Sequence, residues 1–326
     1  MVDLVTGATG HLGSNLVRQL LSEGRAVRVL LRQDDVAVKG LDVQRSFGDL
    51  RDPAALSRAV AGCERIYHCA ARVSTSRRGA PETYACNVVG TRNLLAAARA
   101  ASVARVVVTG SFSAVGRDPA RPSDETMPFL PVAGATPYEI SKALVESECL
   151  RAAVEGLDVV VAVSTAILGP YDFKPSRLGR VLIDFARGNL RAYIPGGFEF
   201  VAARDIVAGH RLAMERGRSG QKYIFSSEFL SVDDLMGVYE SVTGRPRPRV
   251  RLSPRVMAGF AEALDIAARL FPRREPRFTP AAVRHLRSCR RADCRKARTE
   301  LGFAPTAVAQ AVREAYAWFR ERGAIA

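Results

Sequence analysis

The chain has 326 residues, of which 48% are hydrophobic and 25% are charged. This composition is typical of a soluble globular protein and excludes the disordered, collagen-like and coiled-coil classes. No apolar run approaches the ~20 residues that cross a membrane, and a strand-like segment begins the chain where a signal peptide would lie. Six cysteines without regular spacing predict a reduced, cytoplasmic protein rather than a disulfide scaffold.

The net charge of +15 is concentrated in one part of the chain. Residues 245–298 contain 16 Arg and Lys against four Asp and Glu. Such a segment suits a phosphorylated substrate, an anionic lipid or nucleic acid. The alternative explanation of this charge, which we favour, is that the whole protein prefers arginine and the segment binds no anionic partner. Arginine outnumbers lysine throughout the chain. We therefore expect a small-molecule substrate, no nucleic-acid partner and no membrane association.

Short apolar segments alternate with amphipathic helical patterns in the first half of the chain. This alternation predicts a parallel sheet with helices on both faces, which is the doubly wound α/β architecture of the Rossmann fold. The predicted strands are Val2–Val5, Ala26–Leu31, Arg65–Cys69, Arg105–Thr109 and Leu157–Val163, and the predicted helices are Leu12–Leu21, Ala54–Val60 and Asn87–Ala101.

The regular alternation ends near Gly169. We therefore assign residues 1–168 to a Rossmann domain, with a returning strand near residues 200–226. Residues 169–326 are predicted to form mainly a smaller C-terminal α/β lobe that binds the substrate. The elements predicted in this half are the helices Leu178–Arg187, Val256–Leu270 and Ala307–Arg322 and the strand Tyr223–Phe225.

Three glycines, Gly7, Gly10 and Gly13, lie between the first predicted strand and the first predicted helix. A glycine-rich turn lets the backbone approach a pyrophosphate closely, and the helix N-terminus that follows offers free N–H groups and partial positive charge. The spacing is weak evidence alone, but its position at the first strand–helix junction predicts a dinucleotide site. The same turn contributes three further predicted cofactor-binding residues, Thr9, His11 and Leu12.

The end of the second predicted strand favours NADP over NAD. An acid about 20 residues past the glycine loop holds the ribose 2′-hydroxyl of NAD, whereas an arginine there suits the 2′-phosphate of NADP. This chain has Arg32 at the strand end, and an arginine can pair with phosphate bidentately. Asp34 and Asp35 follow closely, so NAD stays the alternative. Asp49 and Leu50, which come after a further strand between Ala26–Leu31 and Arg65–Cys69, are placed to contact the adenine.

A hydroxyl, a phenol and an amine form the predicted catalytic group. Tyr138 and Lys142 are four residues apart and share one face of a predicted helix. An ammonium beside a phenol favours the phenolate form and makes the hydroxyl a better proton donor near neutral pH. Ser111 follows the strand Arg105–Thr109 at the sheet edge where ligands bind, and it can hydrogen-bond a substrate oxygen that becomes negative. Ser113 competes for that role.

Motifs along nearly the whole chain point to one family. They are Gly7-x-x-Gly10-x-x-Gly13, Asp49-Leu50, His68-Cys69-Ala70-Ala71, Asn87-Val88-Val89-Gly90-Thr91, Ser111, Tyr138-x-x-x-Lys142, Gly169-Pro170 and the segment Lys296–Pro305. In order and spacing they resemble those of an extended short-chain dehydrogenase/reductase of the NAD-dependent epimerase/dehydratase superfamily. Within it, the segment from Lys174-Pro175 to Gly188 resembles the dihydroflavonol-reductase-like and hopanoid-associated epimerase branch.

The resemblance implies a role for each matching residue. Tyr138 would be the general acid/base, Lys142 would bind the nicotinamide ribose and activate Tyr138, and Ser111 would polarise the substrate carbonyl. Asn87 would support the nicotinamide side or a proton relay, and the backbone of Ala70-Ala71 would line the cofactor path. A homodimer is common in the family and is expected here.

The sequence thus predicts an NADP(H)-dependent carbonyl reductase or alcohol dehydrogenase that moves hydride between a nicotinamide and a ketone or secondary alcohol. A nucleotide-sugar epimerase that retains its dinucleotide is the first alternative, and a non-catalytic dinucleotide sensor is the second. Phe112-Ser113 stands where the dehydratase branch carries an Asp-Glu pair, which argues against sugar dehydration. No two of the four histidines have metal-ligand spacing, so no metal is expected.

Overall fold

A computed structural model describes residues 2–74, 79–130, 133–253 and 280–325. The strands in these ranges are β1 (Val2–Thr6), β2 (Ala26–Leu31), β3 (Gln44–Phe47), β4 (Arg65–His68), β5 (Arg105–Ser111), β6 (Val159–Ser164), β7 (Ala166–Leu168), β8 (Ala192–Tyr193), β9 (Gly197–Ala202), β10 (Lys222–Phe225), β11 (Glu228–Ser231) and β12 (Val250–Arg251). The α-helices are α1 (His11–Ser22), α2 (Pro53–Val60), α3 (Ala80–Tyr84), α4 (Gly90–Ala100), α5 (Pro137–Val154), α6 (Arg177–Ala186), α7 (Ala203–Arg216), α8 (Val232–Thr243), α9 (Pro280–Ser288) and α10 (Val308–Glu321).

Seven strands form one parallel sheet in the order β10-β6-β5-β4-β1-β2-β3. The inner strands β5 and β6 are runs of β-branched residues, and Val106, Val107 and Val108 of β5 are completely buried. Such continuous apolar runs are characteristic of parallel strands that are covered on both faces. The predicted doubly wound sheet is confirmed. β5 is longer than predicted, because it continues through Ser111, which pairs with Ser164 of β6.

Helices cover both faces of this sheet and bury a separate apolar core on each. One core contains Leu56 of α2, Leu94 of α4 and Val145 of α5. The core on the other face contains Leu16 of α1 and Ile206 of α7. The helix predicted from residue 87 begins differently from the prediction, since one π-helical turn over residues 85–89 precedes α4.

The second half of the chain is interleaved with the first. β10 pairs in parallel with β6 at the edge of the large sheet, and α7 packs against α1. β7 and β11 flank β9 in a small sheet, where helices α6, α8 and α10 bury Leu182, Tyr239 and Phe319. β7, which ends at the predicted boundary, therefore belongs to the small sheet. The division at residue 168 stays a prediction, and the predicted helix Val256–Leu270 lies outside the described residues.

The loop between β1 and α1 is packed so closely that only glycine fits. Gly7 has a φ of 73°, and a Cβ atom there would lie 2.6 Å from the backbone nitrogen of Ala70. A Cβ atom on Gly13, in the first turn of α1, would lie 2.2 Å from the carbonyl oxygen of Gly7. The glycine spacing therefore allows β1, α1 and the end of β4 to approach one another at this edge of the sheet.

We predict that Gly13→Ala lowers the free energy of unfolding by about 1–3 kcal/mol, because the new methyl group overpacks the loop. Gly237→Ala is the matched control, since Gly237 is also helical and a Cβ atom there would meet no atom within 4 Å. This control is expected to stabilise the protein by up to ~1 kcal/mol. Urea unfolding followed by circular dichroism measures both, and equal changes would contradict the close packing at Gly13.

Candidate active site

A cavity of about 880 Å³ opens at the carboxyl ends of β1, β2 and β4. This edge is where ligands bind in doubly wound folds, and the volume is in the range of ligand sites. Leu12 and Gly13 lie behind the loop in α1, and Tyr138 and Lys142 also lie outside the cavity wall. The predicted cofactor-binding residues that do line the cavity are Gly7, Thr9, Gly10, His11, Arg32, Asp49, Leu50, Ala70 and Ala71.

The glycine loop fits the pyrophosphate of a dinucleotide. The N–H of Gly10 donates to the carbonyl oxygen of Gly7 at 2.9 Å, which turns the chain tightly before α1. Among the described residues, no side chain caps the first turn of α1, and this turn contains no acid. Its N–H groups therefore remain available to an anion, and the helix dipole favours negative charge there.

Polar side chains at the start of α1 hold the turn that leads into the second half of the chain. His11 Nε2 lies 3.2 and 3.1 Å from the carbonyl oxygens of Gly169 and Pro170. Ser14 Oγ donates to the carbonyl oxygen of Tyr171 at 2.8 Å. Burial lowers the pKa of His11, so its ring is neutral and donates from Nε2. The same helix therefore borders the cavity and holds the turn over residues 169–171.

Charged side chains surround the end of the cavity beside β2. Arg32 is exposed at the end of β2 and has no hydrogen bond or ion pair with any described residue. Asp49 pairs with Arg51 at 2.8 Å, and this contact lowers the pKa of the Asp49 carboxyl group, with a smaller contribution from Arg32. Asp34 pairs with Lys174, which comes from the second half of the chain. Arg32 is thus a cation that lies open to an anionic ligand at the end of β2.

The predicted catalytic side chains meet at the carboxyl end of β5. A capping box between Thr136 and Glu139 starts α5, so Tyr138 lies in its first turn and Lys142 one turn later. Lys142 Nζ donates to the carbonyl oxygen of Thr109 at 2.7 Å and lies 6.0 Å from the centre of the Tyr138 ring. Ser111 is two residues further along the same strand. The structure therefore places Lys142 beside the Tyr138 ring and ties it to the strand that ends at Ser111.

The hydroxyl groups of Ser111 and Ser113, at the end of β5, are hydrogen-bonded to each other. Ser111 Oγ lies 2.8 Å from Ser113 Oγ and accepts from the backbone N–H of Ser113 at 3.4 Å. Ser111 is half-buried as the last residue of β5, and Ser113 lies in the 3₁₀ turn that follows. Ser113 therefore orients the Ser111 hydroxyl, and the two candidates share one hydrogen-bonded unit.

A buried histidine that belongs to no recognisable sequence motif supports Lys142. His210 Nε2 accepts from the hydroxyl of Thr109 at 2.8 Å, and its Nδ1 donates to the carbonyl oxygen of Ile206 at 2.8 Å. His210 is completely buried, and this burial lowers its pKa to about 4. The neutral ring thus orients Thr109, whose carbonyl oxygen holds the Lys142 ammonium.

Asn87 joins three segments of the site. Its Oδ1 accepts from the backbone N–H of Arg72 at 2.7 Å, and its Nδ2 donates to the carbonyl oxygen of Arg72 at 3.0 Å. The other Nδ2 hydrogen goes to Ser141 Oγ on α5 at 2.9 Å. The protein itself therefore uses both amide hydrogens, and Asn87 connects the segment after Ala71 to the helix that carries Tyr138.

The described ranges contain no group of three His, Cys, Asp or Glu side chains that could hold a metal ion. In the same ranges, every helix is too short or too polar to traverse a lipid bilayer. All six cysteines are unpaired thiols.

The fold and the site define a Rossmann-type NAD(P)-dependent enzyme of the extended short-chain dehydrogenase/reductase class. A model of the NAD-dependent epimerase/dehydratase family matches residues 4–225. The chain belongs to this family, which confirms the resemblance found in its motifs.

Named relatives have diverse activities. Sterol demethylase protein B of Methylococcus capsulatus is 47% identical over 100% of both chains. A putative dihydroflavonol 4-reductase of Synechocystis is 33% identical over 98% of this chain and 94% of its own length. The crystal structure of a dTDP-glucose 4,6-dehydratase from Streptomyces venezuelae with NAD bound is 25% identical, with a TM-score of 0.81 over 100% and 99% of the two chains.

The burial of His210 predicts a loss of stability in acid. Its pKa is near 6.5 in the unfolded chain and about 4 in the folded protein. Between these pH values the unfolded state binds a proton that the folded state does not, so lowering the pH favours unfolding. His210 alone should lower the free energy of unfolding by about 3 kcal/mol from pH 6.5 to pH 4.

Urea unfolding at several pH values measures this dependence in the native protein and in His210→Gln. Burial also lowers the pKa of His68, to about 3, so the variant should keep part of the acid sensitivity. We expect the free energy of unfolding to depend less steeply on pH in His210→Gln. The slope should be smaller by up to the contribution of one bound proton. An unchanged slope would show that His210 does not titrate as its burial requires.

Proposed function

We propose that this protein is an NADP(H)-dependent carbonyl reductase or alcohol dehydrogenase acting on a ketone or secondary alcohol. The observation that carries this proposal is the position of Lys142, whose ammonium binds the Thr109 carbonyl oxygen beside the Tyr138 ring. Ser111 ends the same strand as Thr109. A proton donor, a cation and a hydroxyl thus lie at the sheet edge that the glycine loop also borders.

Each of these side chains has a defined task in the proposed reaction. In the direction of reduction, the Tyr138 hydroxyl gives its proton to the substrate oxygen, and in oxidation it removes the alcohol proton. The Lys142 ammonium stabilises the phenolate that results, and the Ser111 hydroxyl hydrogen-bonds the substrate oxygen as negative charge develops on it. A bound nicotinamide dinucleotide supplies or accepts the hydride.

Arg32 supports NADP(H) as the preferred cofactor. Its guanidinium is exposed at the cavity and makes no ion pair with any described residue, so it is free to pair with a 2′-phosphate. NAD remains the alternative, because Asp34 lines the same end of the cavity. The names of the two relatives above, sterol demethylase and dihydroflavonol reductase, make cyclic apolar alcohols and ketones the first substrates to test.

An arginine-lined pocket makes a nucleotide-sugar epimerase the second candidate. The pocket has a volume of about 210 Å³ and includes Arg117, Arg121, Arg290 and Arg291. The guanidinium of Arg290 lies 4.5 Å from the centre of the Phe112 ring, and its buried Nε has no hydrogen-bond partner in the described chain. Burial, together with the charge of Arg117, lowers the pKa of Arg290 to about 10. The diphosphate of a nucleotide sugar would offset the repulsion between the Arg290 and Arg117 guanidinium groups.

Cofactor exchange distinguishes the candidates. We expect the purified protein to bind added NADPH and to oxidise it when sterol ketones or dihydroflavonols are supplied. A protein that retains tightly bound NAD and interconverts nucleotide sugars would be the epimerase. A protein that binds NADPH but converts none of these substrates would be the non-catalytic sensor.

Tyr138→Phe should lower turnover by about 10²–10⁴-fold, because it removes the only phenolic proton of the proposed catalytic group. Binding of NADPH should change little, since the ring is retained. Tyr316→Phe on α10 is the matched control, and it should leave turnover unchanged. Steady-state kinetics and fluorescence titration with NADPH measure the two quantities. Undiminished turnover in Tyr138→Phe would remove Tyr138 from its proposed role.

A further inference from the structure

A lysine from the second half of the chain reaches the rim of the cofactor cavity. Lys174 lines the cavity together with Arg32 and Asp34. Its Nζ lies 2.5 Å from Asp34 Oδ2, where it pairs with the segment that follows β2. Since the ribose 2′-position of a dinucleotide lies near the end of the second strand in this fold, Lys174 is close to the group that separates NADP from NAD.

The loop that carries Lys174 is held firmly by its neighbours. The Phe173 ring packs edge-on against Trp318 with 5.3 Å between ring centres. Arg18 of α1 lies 5.1 Å from the centre of the Phe173 ring and 4.4 Å from that of Tyr171. The buried Asp172 carboxylate accepts from the backbone N–H of Ser176 at 2.7 Å. These contacts position the backbone at Lys174, so that rotation of its side chain is enough to move the ammonium at the cavity rim.

The partner of Lys174 is the carboxylate of Asp34, which would not contribute to binding the 2′-phosphate of NADP. Asp34 Oδ1 also accepts from the backbone N–H of Val36 at 2.9 Å, which keeps the carboxylate at the cavity rim. The hydrogen bond from Lys174 lowers the pKa of the Asp34 carboxyl group, so it stays ionised and would repel a 2′-phosphate. The side chains of Lys174 and Asp34 are 65% and 37% exposed, so water screens their pairing. A doubly charged phosphate can therefore compete for the ammonium.

We propose that Lys174 is a second cation for the 2′-phosphate of NADP(H), acting with Arg32, and that Asp34 holds its ammonium in place until the phosphate arrives. This inference rests on the proposed preference for NADP(H). It explains how a chain with an acid two residues after Arg32 accepts a phosphate at that position. The 2′-phosphate would then contact both the end of β2, through Arg32, and the loop that carries Lys174. The bound cofactor would thereby connect the two halves of the chain.

The test uses the fragments 2′,5′-ADP and 5′-AMP, which differ by the 2′-phosphate alone, in calorimetric titrations of the whole protein. Lys174→Met should weaken 2′,5′-ADP binding about tenfold and leave 5′-AMP binding unchanged. Asp34→Asn should strengthen 2′,5′-ADP binding several-fold, since it removes a competing carboxylate. Arg191→Met, which removes an exposed cation outside the cavity wall, should leave the preference between the fragments unchanged.

The results separate this inference from the proposed cofactor preference. If the native protein binds both fragments equally, and Arg32→Ala weakens them equally, then the NADP(H) preference itself is wrong. If the native protein prefers 2′,5′-ADP but Lys174→Met weakens both fragments to the same extent, or neither, then only the role of Lys174 is overturned. Weaker binding of 2′,5′-ADP to Asp34→Asn would also overturn it.

Discussion

The proposed active site depends on the hydrogen bond from the Lys142 ammonium to the carbonyl oxygen of Thr109. Lys142 is 4% exposed, and a buried ammonium is costly unless a polar partner receives it. This requirement ties α5 to the end of β5, which brings the Tyr138 ring and Ser111 to the same edge of the sheet. His210 supports the contact from the opposite side, because its ring holds the Thr109 hydroxyl in one orientation.

A second set of contacts determines how the two halves of the chain cooperate. The residues that begin α1 hydrogen-bond the turn over residues 169–171, so the helix that borders the glycine loop also positions the lobe. The loop that follows brings Lys174 to the cavity that Arg32 also lines. The parts of the chain that would hold the cofactor and the substrate are therefore hydrogen-bonded to each other, which suits a reaction that needs two bound molecules in fixed alignment.

Much of the fold could be predicted because its signals are local. β-branched runs such as Val106–Val108 predict buried parallel strands, and amphipathic spacing predicts the helices between them. Predictions were less successful where long-range packing decides the outcome. The π-helical turn before α4 places Asn87 between Arg72 and Ser141. The extension of β5 through Ser111 depends on its pairing with β6, and no property of the serine itself indicates it.

The sequence alone determined the parallel sheet, the glycine loop and the helical pair of Tyr138 and Lys142, because each depends on residues close together along the chain. The tertiary structure decided which groups surround them. His210 reaches Thr109 across 101 residues, and Lys174 meets Asp34 from the other half of the molecule. Such contacts depend on the path by which the chain returns to the sheet, and that path follows from how all the apolar faces are buried together rather than from any local pattern.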